Sequence, residues 1–285
     1  MVTPTSVEKV ADALLRFESA IGFKSFKALT IGDARRFQDA LDQAKNAKTG
    51  KPVSAAFRVN VLTQVRAFIH WLADRPDYKS LIRHSFADFF SPSRSDAHVA
   101  QARRPVPAAT EAQTLHAFRQ MPTATAIDRR NKAFFALMML TGARIAAAAS
   151  LTIGHVDLVE GSVVQDGRDV DTKFSKTFTS WFLPGDPIFL ECLTAWIAEL
   201  RDKMLFGPTD PMFPRPEMRV SPKLGFQCIG LSRTPHSSDN SLRKFIREAL
   251  AAAGLPPFTP HRFRNTVVDM SNKYCTRLKG SKRFP

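Results

Sequence analysis

The sequence predicts a mainly α protein of the α+β class: a helical first domain, then a mostly helical second domain with a small antiparallel sheet. Three observations carry that prediction. Apolar residues recur every three or four positions through residues 1–90, the period of helices with one buried face. Periodicity then stops at 91–107 (SPSRSDAHVAQARRPVP), a stretch rich in Ser, Ala, Pro and Arg. Beyond it, short segments rich in Val, Thr and aromatics interrupt an otherwise helical pattern. With 285 residues and 44% hydrophobic content, each half is long enough to bury its own core.

Val7, Val10, Leu14 and Phe17 predict the first helix, behind candidate caps at Thr5 and Ser6. Residues 30–44 repeat the pattern with Ile31, Ala34, Phe37 and Leu41. From Ser54 an apolar face of Phe57, Val61, Val65, Phe68, Ile69 and Leu72 runs into Trp71. Arg58 and Arg66 lie opposite it. A last short helix is expected over 78–90. The aromatics follow the apolar stripe, so they read as core rather than as a platform for stacking bases. Residues 91–108 read as a linker, where Arg103 and Arg104 suit a phosphate backbone or plain solvation equally well.

In the second half, helices are expected over 111–121, 128–141 and 144–150, and strands over 156–158, 162–165 and 177–183. Helical periodicity resumes over 187–204 and 239–253. There Leu242, Phe245, Ile246, Ala249 and Leu250 share a face, and Gly254 supplies a stop. Thr259-Pro260-His261 has the form of another helix start. The tail 271–285 holds five basic residues, no acidic residue and no amphipathic period, and reads as disordered sequence from a premature or shifted end. No internal repeat is present.

Charge narrows the function classes. There are 41 Lys and Arg against 26 acidic residues, a net charge of +15. Residues 1–108 hold 17 basic and 10 acidic side chains, and residues 109–285 hold 24 and 16, so the excess is shared by both halves. A polyanion touched along the whole protein accounts for that, and nucleic acid is the commonest one. Three widely spaced cysteines (Cys192, Cys228, Cys275) argue against a disulfide framework. Seven histidines without ligand spacing predict no metal. Residues 1–10 lack the apolar core of a secretory signal, and the longest apolar run, 133–140, is too short to span a bilayer. The expected setting is cytoplasmic, with no membrane.

Three local signals bear on chemistry. In Thr141-Gly142-Ala143-Arg144-Ile145 a helix ends at glycine and an arginine stands at the next helix start. Its planar fork suits two phosphate oxygens, although a surface arginine after a turn reads the same. Lys173 and Lys176 lie between two predicted strands, where a lysine reaches a phosphate from the side or merely charges a strand edge. In His261-Arg262-Phe263-Arg264, positions i and i+3 put His261 and Arg264 on one helix face, a pair that also recurs by chance.

In this order the signals resemble the tyrosine recombinases, the phage-type site-specific integrases. Segment 62–82 (LTQVRAFIHWLADRPDYKSLI) also resembles the last helices of their N-terminal core-binding domain. The resemblance implies a core-binding domain over 1–90, a linker over 91–108 and a catalytic domain over 109–270, clamped around double-stranded DNA without a cofactor. It implies that Arg144 and Arg264 hold the scissile phosphate, that His261 handles the proton of the attacking hydroxyl, and that Lys176, more than Lys173, protonates the leaving 5′-oxygen. Arg58, Arg66, Arg103, Arg104 and Lys173 are the candidate DNA contacts. Two positions depart from the family pattern: Ala147 where an acidic residue is usual, and Asn265 where a second histidine is frequent.

The family's nucleophile is a tyrosine roughly 30–40 residues beyond the second arginine. Only residues 265–285 follow Arg264, and the chain's two tyrosines are Tyr78 and Tyr274. The expectation is therefore a recombinase-like DNA-binding protein, C-terminally truncated and unable to cleave strands, that forms a homo-oligomer on DNA. Two alternatives stand beside it: an active integrase using Tyr274 or a neighbour's nucleophile, and an unrelated basic helical scaffold associated with nucleic acid. A covalent DNA adduct marks the first, and DNA affinity indifferent to Arg144 and Arg264 marks the second.

Overall fold

The computed structural model describes residues 4–102, 108–221, 225–236, 238–256 and 260–281, and within them no side chain at 4–6, 173, 221, 226, 260, 261 or 274–281. The chain divides into two compact units, residues 1–105 and 106–285.

The first unit is helical. Its elements are α1 (Pro4–Ala20), α2 (Ile31–Gln43), α3 (Ala55–Ala73), a 3-10 helix at His84–Phe90, and α4 (Arg94–Gln101). Side chains start the helices: Thr30 and Asp33 cap α2 reciprocally, Ser54 caps α3 and Ser93 caps α4. The core gathers Ala13 and Phe17 of α1 and Ile21 just past its end, Phe37 and Leu41 of α2, Val61, Val65, Ile69 and Leu72 of α3, and Phe90. Phe17 meets the rings of Phe37 at 5.2 Å and Phe90 at 5.3 Å, both edge-on.

Three expectations change here. The helix expected over 78–90 is a run of turns followed by a seven-residue 3-10 helix. Arg83 stands in extended conformation (φ −80°, ψ 146°) and breaks the run, and Ala87 and Phe90 then share one buried edge at the 3-10 spacing. The α1 face is offset, since Val7 is exposed while Ala13, Phe17 and Ile21 are buried. The stretch expected to be an unstructured linker contains α4. That helix buries no residue, so apolar periodicity has nothing to report. Ser93 Oγ accepts the Asp96 amide at 3.0 Å, and the Asp96 carboxylate accepts from Arg58 Nε of α3 at 2.9 Å.

The second unit is built around α6 (Ala126–Thr141), which runs between α5 (Glu111–Gln120), α8 (Ile188–Ala198), α9 (Asn240–Ala252) and α10 (Pro260–Ser281). Every residue from Ala133 to Leu140 is buried, so the apolar run marks a helix enclosed on all sides. After α7 (Ile145–Ala149), strands β1 (Val156–Asp157), β2 (Ser162–Gln165) and β3 (Phe178–Trp181) form an antiparallel sheet in the order β1-β2-β3. The expected strands and the α9 face with Leu242, Ile246 and Leu250 buried are all present. Leu183 N donates to Leu140 O at 2.8 Å, fastening the end of the sheet segment to the last turn of α6. A π turn at Glu199–Lys203 closes α8.

A second hairpin, β4 (Pro216–Ser221) with β5 (Gly225–Leu231), is not among the expected strands. Pro216, Glu217 and Arg219 are poor strand formers, and both faces of the ribbon lie largely in solvent, so no apolar alternation announces it. The tail differs as well. α10 carries the chain in helix to Ser281, against the expectation of disorder over 271–285; residues 282–285 lie outside the described residues. Once Phe263, Val267 and Met270 are anchored, propagation adds one hydrogen bond per residue and outruns the apolar stripe.

Candidate phosphate-binding site

The site forms where α6 turns into α7. Thr141 Oγ1 donates to Leu137 O at 2.8 Å and accepts from Ala143 N at 3.2 Å, closing the helix end. Gly142 takes the left-handed conformation (φ 58°) and its amide returns to Met138 O at 2.9 Å. The chain then enters α7 with Arg144 at the N-cap. Ala143 and Ile145 on either side are buried, and Arg144 itself is exposed.

α10 brings the second arginine to this turn. Phe263 packs edge-on against Phe135 of α6 at 4.8 Å, and Thr266 Oγ1 donates to Ala109 O at 2.7 Å. The face so fixed lays Val267 and Arg264 across Gly142: a methyl group there would stand 3.0 Å from Val267 Cγ1 and 3.9 Å from Arg264 Cγ. Arg264 is half-buried. That burial, and next the charge of Arg144, push its pKa below the usual guanidinium range. Among the described residues neither Arg144 nor Arg264 has an acidic partner. Two like charges near each other with no acidic partner among the described residues suit an anion, and a pair of forked donors matches phosphate oxygens.

The remaining candidates fall as follows. Lys176 is exposed on the β2–β3 connection, just before β3. His261 lies in the first turn of α10, one turn before Arg264, and Lys173 stands in a 3-10 turn; neither side chain is among those described. Arg103 and Arg104 lie outside the described residues. Ala147, at the position where the family pattern has an acidic residue, is buried in α7. Arg58 and Arg66 belong to the first unit and are already engaged. Arg58 pairs with Asp96 and, at 3.4 Å, with Asp42, while Arg66 pairs with Asp88 at 2.9 Å. Arg58 therefore ties α3 to α4, a role that helix-face reasoning does not reveal.

Sequence reasoning passes over Arg130 and His236, which belong to no motif. Arg130 is buried on α6, among the described residues without a carboxylate partner, donating to Pro214 O and Asn131 Oδ1, each at 2.7 Å, and burial pushes its pKa down to about 10. Burial, then the charges of Arg130 and Arg215, push His236 down to about 4. Its Nδ1 lies 3.1 Å from Ser241 Oγ. Among the described residues no group of His, Cys, Asp or Glu is arranged to hold a metal, and no helix is long and apolar enough to cross a membrane.

The fold and the paired arginines define the class, a mainly α protein of the tyrosine recombinase type. Its solved structural neighbours carry that fold. The XerH site-specific recombinase bound to palindromic difH substrate matches with a TM-score of 0.62 at 16% identity, over 96% of this chain and 70% of that one. A lambda integrase dimer bound to a COC′ core site matches with a TM-score of 0.57 at 12% identity, over 99% and 86%. The Tn1549 transposon integrase in complex with transposon right end DNA matches with a TM-score of 0.51 at 14% identity, over 100% and 84%. No curated protein matches the chain. The phage integrase family model matches residues 108–273, more than half of the sequence, and the chain belongs to that family.

Proposed function

We propose that the protein binds double-stranded DNA as a site-specific recombinase does, with Arg144 and Arg264 gripping one backbone phosphate. The observation that carries this reading is the approach of two arginines at the Gly142 turn, neither with an acidic partner among the described residues. The +15 charge shared by both halves supports contact along a duplex. The neighbours solved on DNA support a duplex partner, and the dimer on a core site and the tetramer on a Holliday junction support several copies acting on one DNA. In this reading Lys176 and His261 flank the phosphate as proton donor and proton acceptor.

The same geometry argues against Tyr274 as nucleophile toward that phosphate. It lies on α10, ten residues past Arg264, which at the helical rise separates the two backbones by roughly 15 Å along the axis. We infer that the chain holds a phosphodiester without cleaving it through Tyr274. A covalent adduct on a nicked duplex that disappears in Tyr274→Phe would overturn that inference.

The test of the main reading is affinity for duplex as a function of salt. Charge-assisted hydrogen bonds contribute about 1.5–3 kcal/mol each, so Arg144→Ala or Arg264→Ala should weaken binding by about ten- to a hundredfold. Each should also make the log–log salt slope shallower by about 0.9, the share of a single neutralised phosphate. Lysine at position 144 should restore the slope but not the affinity, because it offers no fork. Affinity unchanged in both alanine variants at moderate salt would favour the basic-scaffold reading instead.

A further inference from the structure

We propose that Asp166 and Thr177 form a clasp that positions Lys176 by closing the base of the β2–β3 connection on which it stands. This rests on the phosphate-handling role given to Lys176 above. The connection between Gln165 and Phe178 is long for neighbouring antiparallel strands, yet its ends are drawn together by side chains. Gly167 N donates to Thr177 Oγ1 at 3.0 Å, and Thr177 Oγ1 donates to Asp166 Oδ1 at 3.3 Å. The same Oδ1 accepts the Arg168 amide at 2.9 Å, and the Arg168 guanidinium folds back onto both carboxylate oxygens. That guanidinium holds Asp166 well below the usual carboxylate range, so the carboxylate only accepts. The Thr177 hydroxyl thus has its hydrogen and a lone pair both committed, which leaves it one orientation.

Backbone packing completes the clasp. A Cβ on Gly167 would lie 2.2 Å from the Ser175 carbonyl oxygen, so the outgoing limb of the loop touches the residue just before Lys176. Ser175 (φ 50°) and Phe174 (φ 64°) are both left-handed and neither is glycine. Such backbone is strained in residues other than glycine and persists only where its surroundings hold it. Two further ties steady the loop: Val170 is buried in the core, and Asp171 N donates at 2.9 Å to Ser150 Oγ at the end of α7, the helix that Arg144 begins. The backbone flanking Lys176 is therefore held on one side by the left-handed pair against Gly167, and on the other by Thr177 bonded to Asp166. Lys176 is left exposed between them. Asp166, Gly167 and Thr177 are positioning residues. None is placed against the phosphate itself.

The test uses the full chain with Thr177→Val, which keeps shape and loses the hydroxyl, Thr177→Ser, which keeps the hydroxyl, and Asp166→Asn. One arm follows amide hydrogen exchange. The other follows acylation of the Lys176 amine with and without a saturating short mixed-sequence duplex. Thr177→Val and Asp166→Asn should accelerate exchange across 166–177 by about tenfold, leave α6 and α9 unchanged, and abolish protection of Lys176 by the duplex. Thr177→Ser should retain wild-type behaviour in both arms. Exchange unchanged in Thr177→Val, or protection of Lys176 persisting in a loosened loop, would overturn the proposal. A wild-type chain that binds no duplex would refute the DNA-binding reading, while the exchange arm would still decide whether the clasp exists.

Discussion

At Gly142 a single missing side chain sets the site. The residue needs a left-handed backbone (φ 58°) to end α6, and it needs open space because Val267 Cγ1 would lie 3.0 Å from a methyl group. Gly142→Ala meets both obstacles and should cost about 1–3 kcal/mol, seen as a lower denaturant midpoint. It should weaken duplex binding as well, because α10 must shift and carries Arg264 with it. The Thr-Gly-Ala-Arg run is legible in sequence as a helix stop followed by an arginine. That Arg264, 120 residues later, would lie against the same glycine is not legible, since only packing of α10 on α6 brings it there. Arg58 shows the opposite outcome. Its place on the helix suggests a DNA contact, and the partners it pairs with, Asp42 and Asp96, lie 16 and 38 residues away in directions no local pattern encodes.

Among the elements, α4 and the β4–β5 hairpin escape a periodicity-based reading for related reasons. Neither buries a regular apolar face, so each is held by polar ties or by backbone pairing. For α4 the tie is the Ser93 cap together with the Arg58–Asp96 pair. Removing Arg58 leaves two carboxylates without their shared cation and releases the helix. Arg58→Ala should therefore cost about 1–3 kcal/mol in the first unit and speed amide exchange across Arg94–Gln101. If Arg58 were instead a DNA contact, that variant would lower duplex affinity with α4 exchange unchanged. By contrast α2, α3, α6 and α9 are legible because cap and apolar stripe agree in each or the stripe alone is strong.

For the molecule as a whole, two aromatic-rich cores support two units, and a basic surface extends over both. Stability of the whole should respond to His236. Its ordinary pKa is near 6.5, and the folded value is about 4. As pH falls from 6.5 to 4, the unfolded chain binds a proton there that the folded chain does not, so stability declines through that window. The full shift would correspond to about 3 kcal/mol, and solvent reaching a half-buried ring reduces this to about 1 kcal/mol. His236→Gln should flatten that part of a denaturant-midpoint titration between pH 4 and 6.5. A decline of equal size in the variant would rule out His236 as its source, while the contributions of Asp33 and Glu199, whose pKa values are lowered, are lost only at more acidic pH.

Residue order suffices for the class of fold, the positions of most helices and of the three-stranded sheet, the basic character of both halves, and the ordered trio of arginine, lysine and His-x-x-Arg. These depend on residue type, spacing and local turn chemistry, which are properties of neighbours along the chain. Packing in three dimensions is what makes Arg144 and Arg264 share one turn, commits Arg58 to α4, buries Arg130, sets half-buried His236 beside Arg130 and Arg215, and lets Asp166 and Thr177 close the loop bearing Lys176. Each of those depends on the distance between side chains far apart in sequence or brought together by a loop's backbone. Such distances exist only after helices and strands have packed, because burial and close approach, not composition, determine which charges meet and which remain open to a ligand.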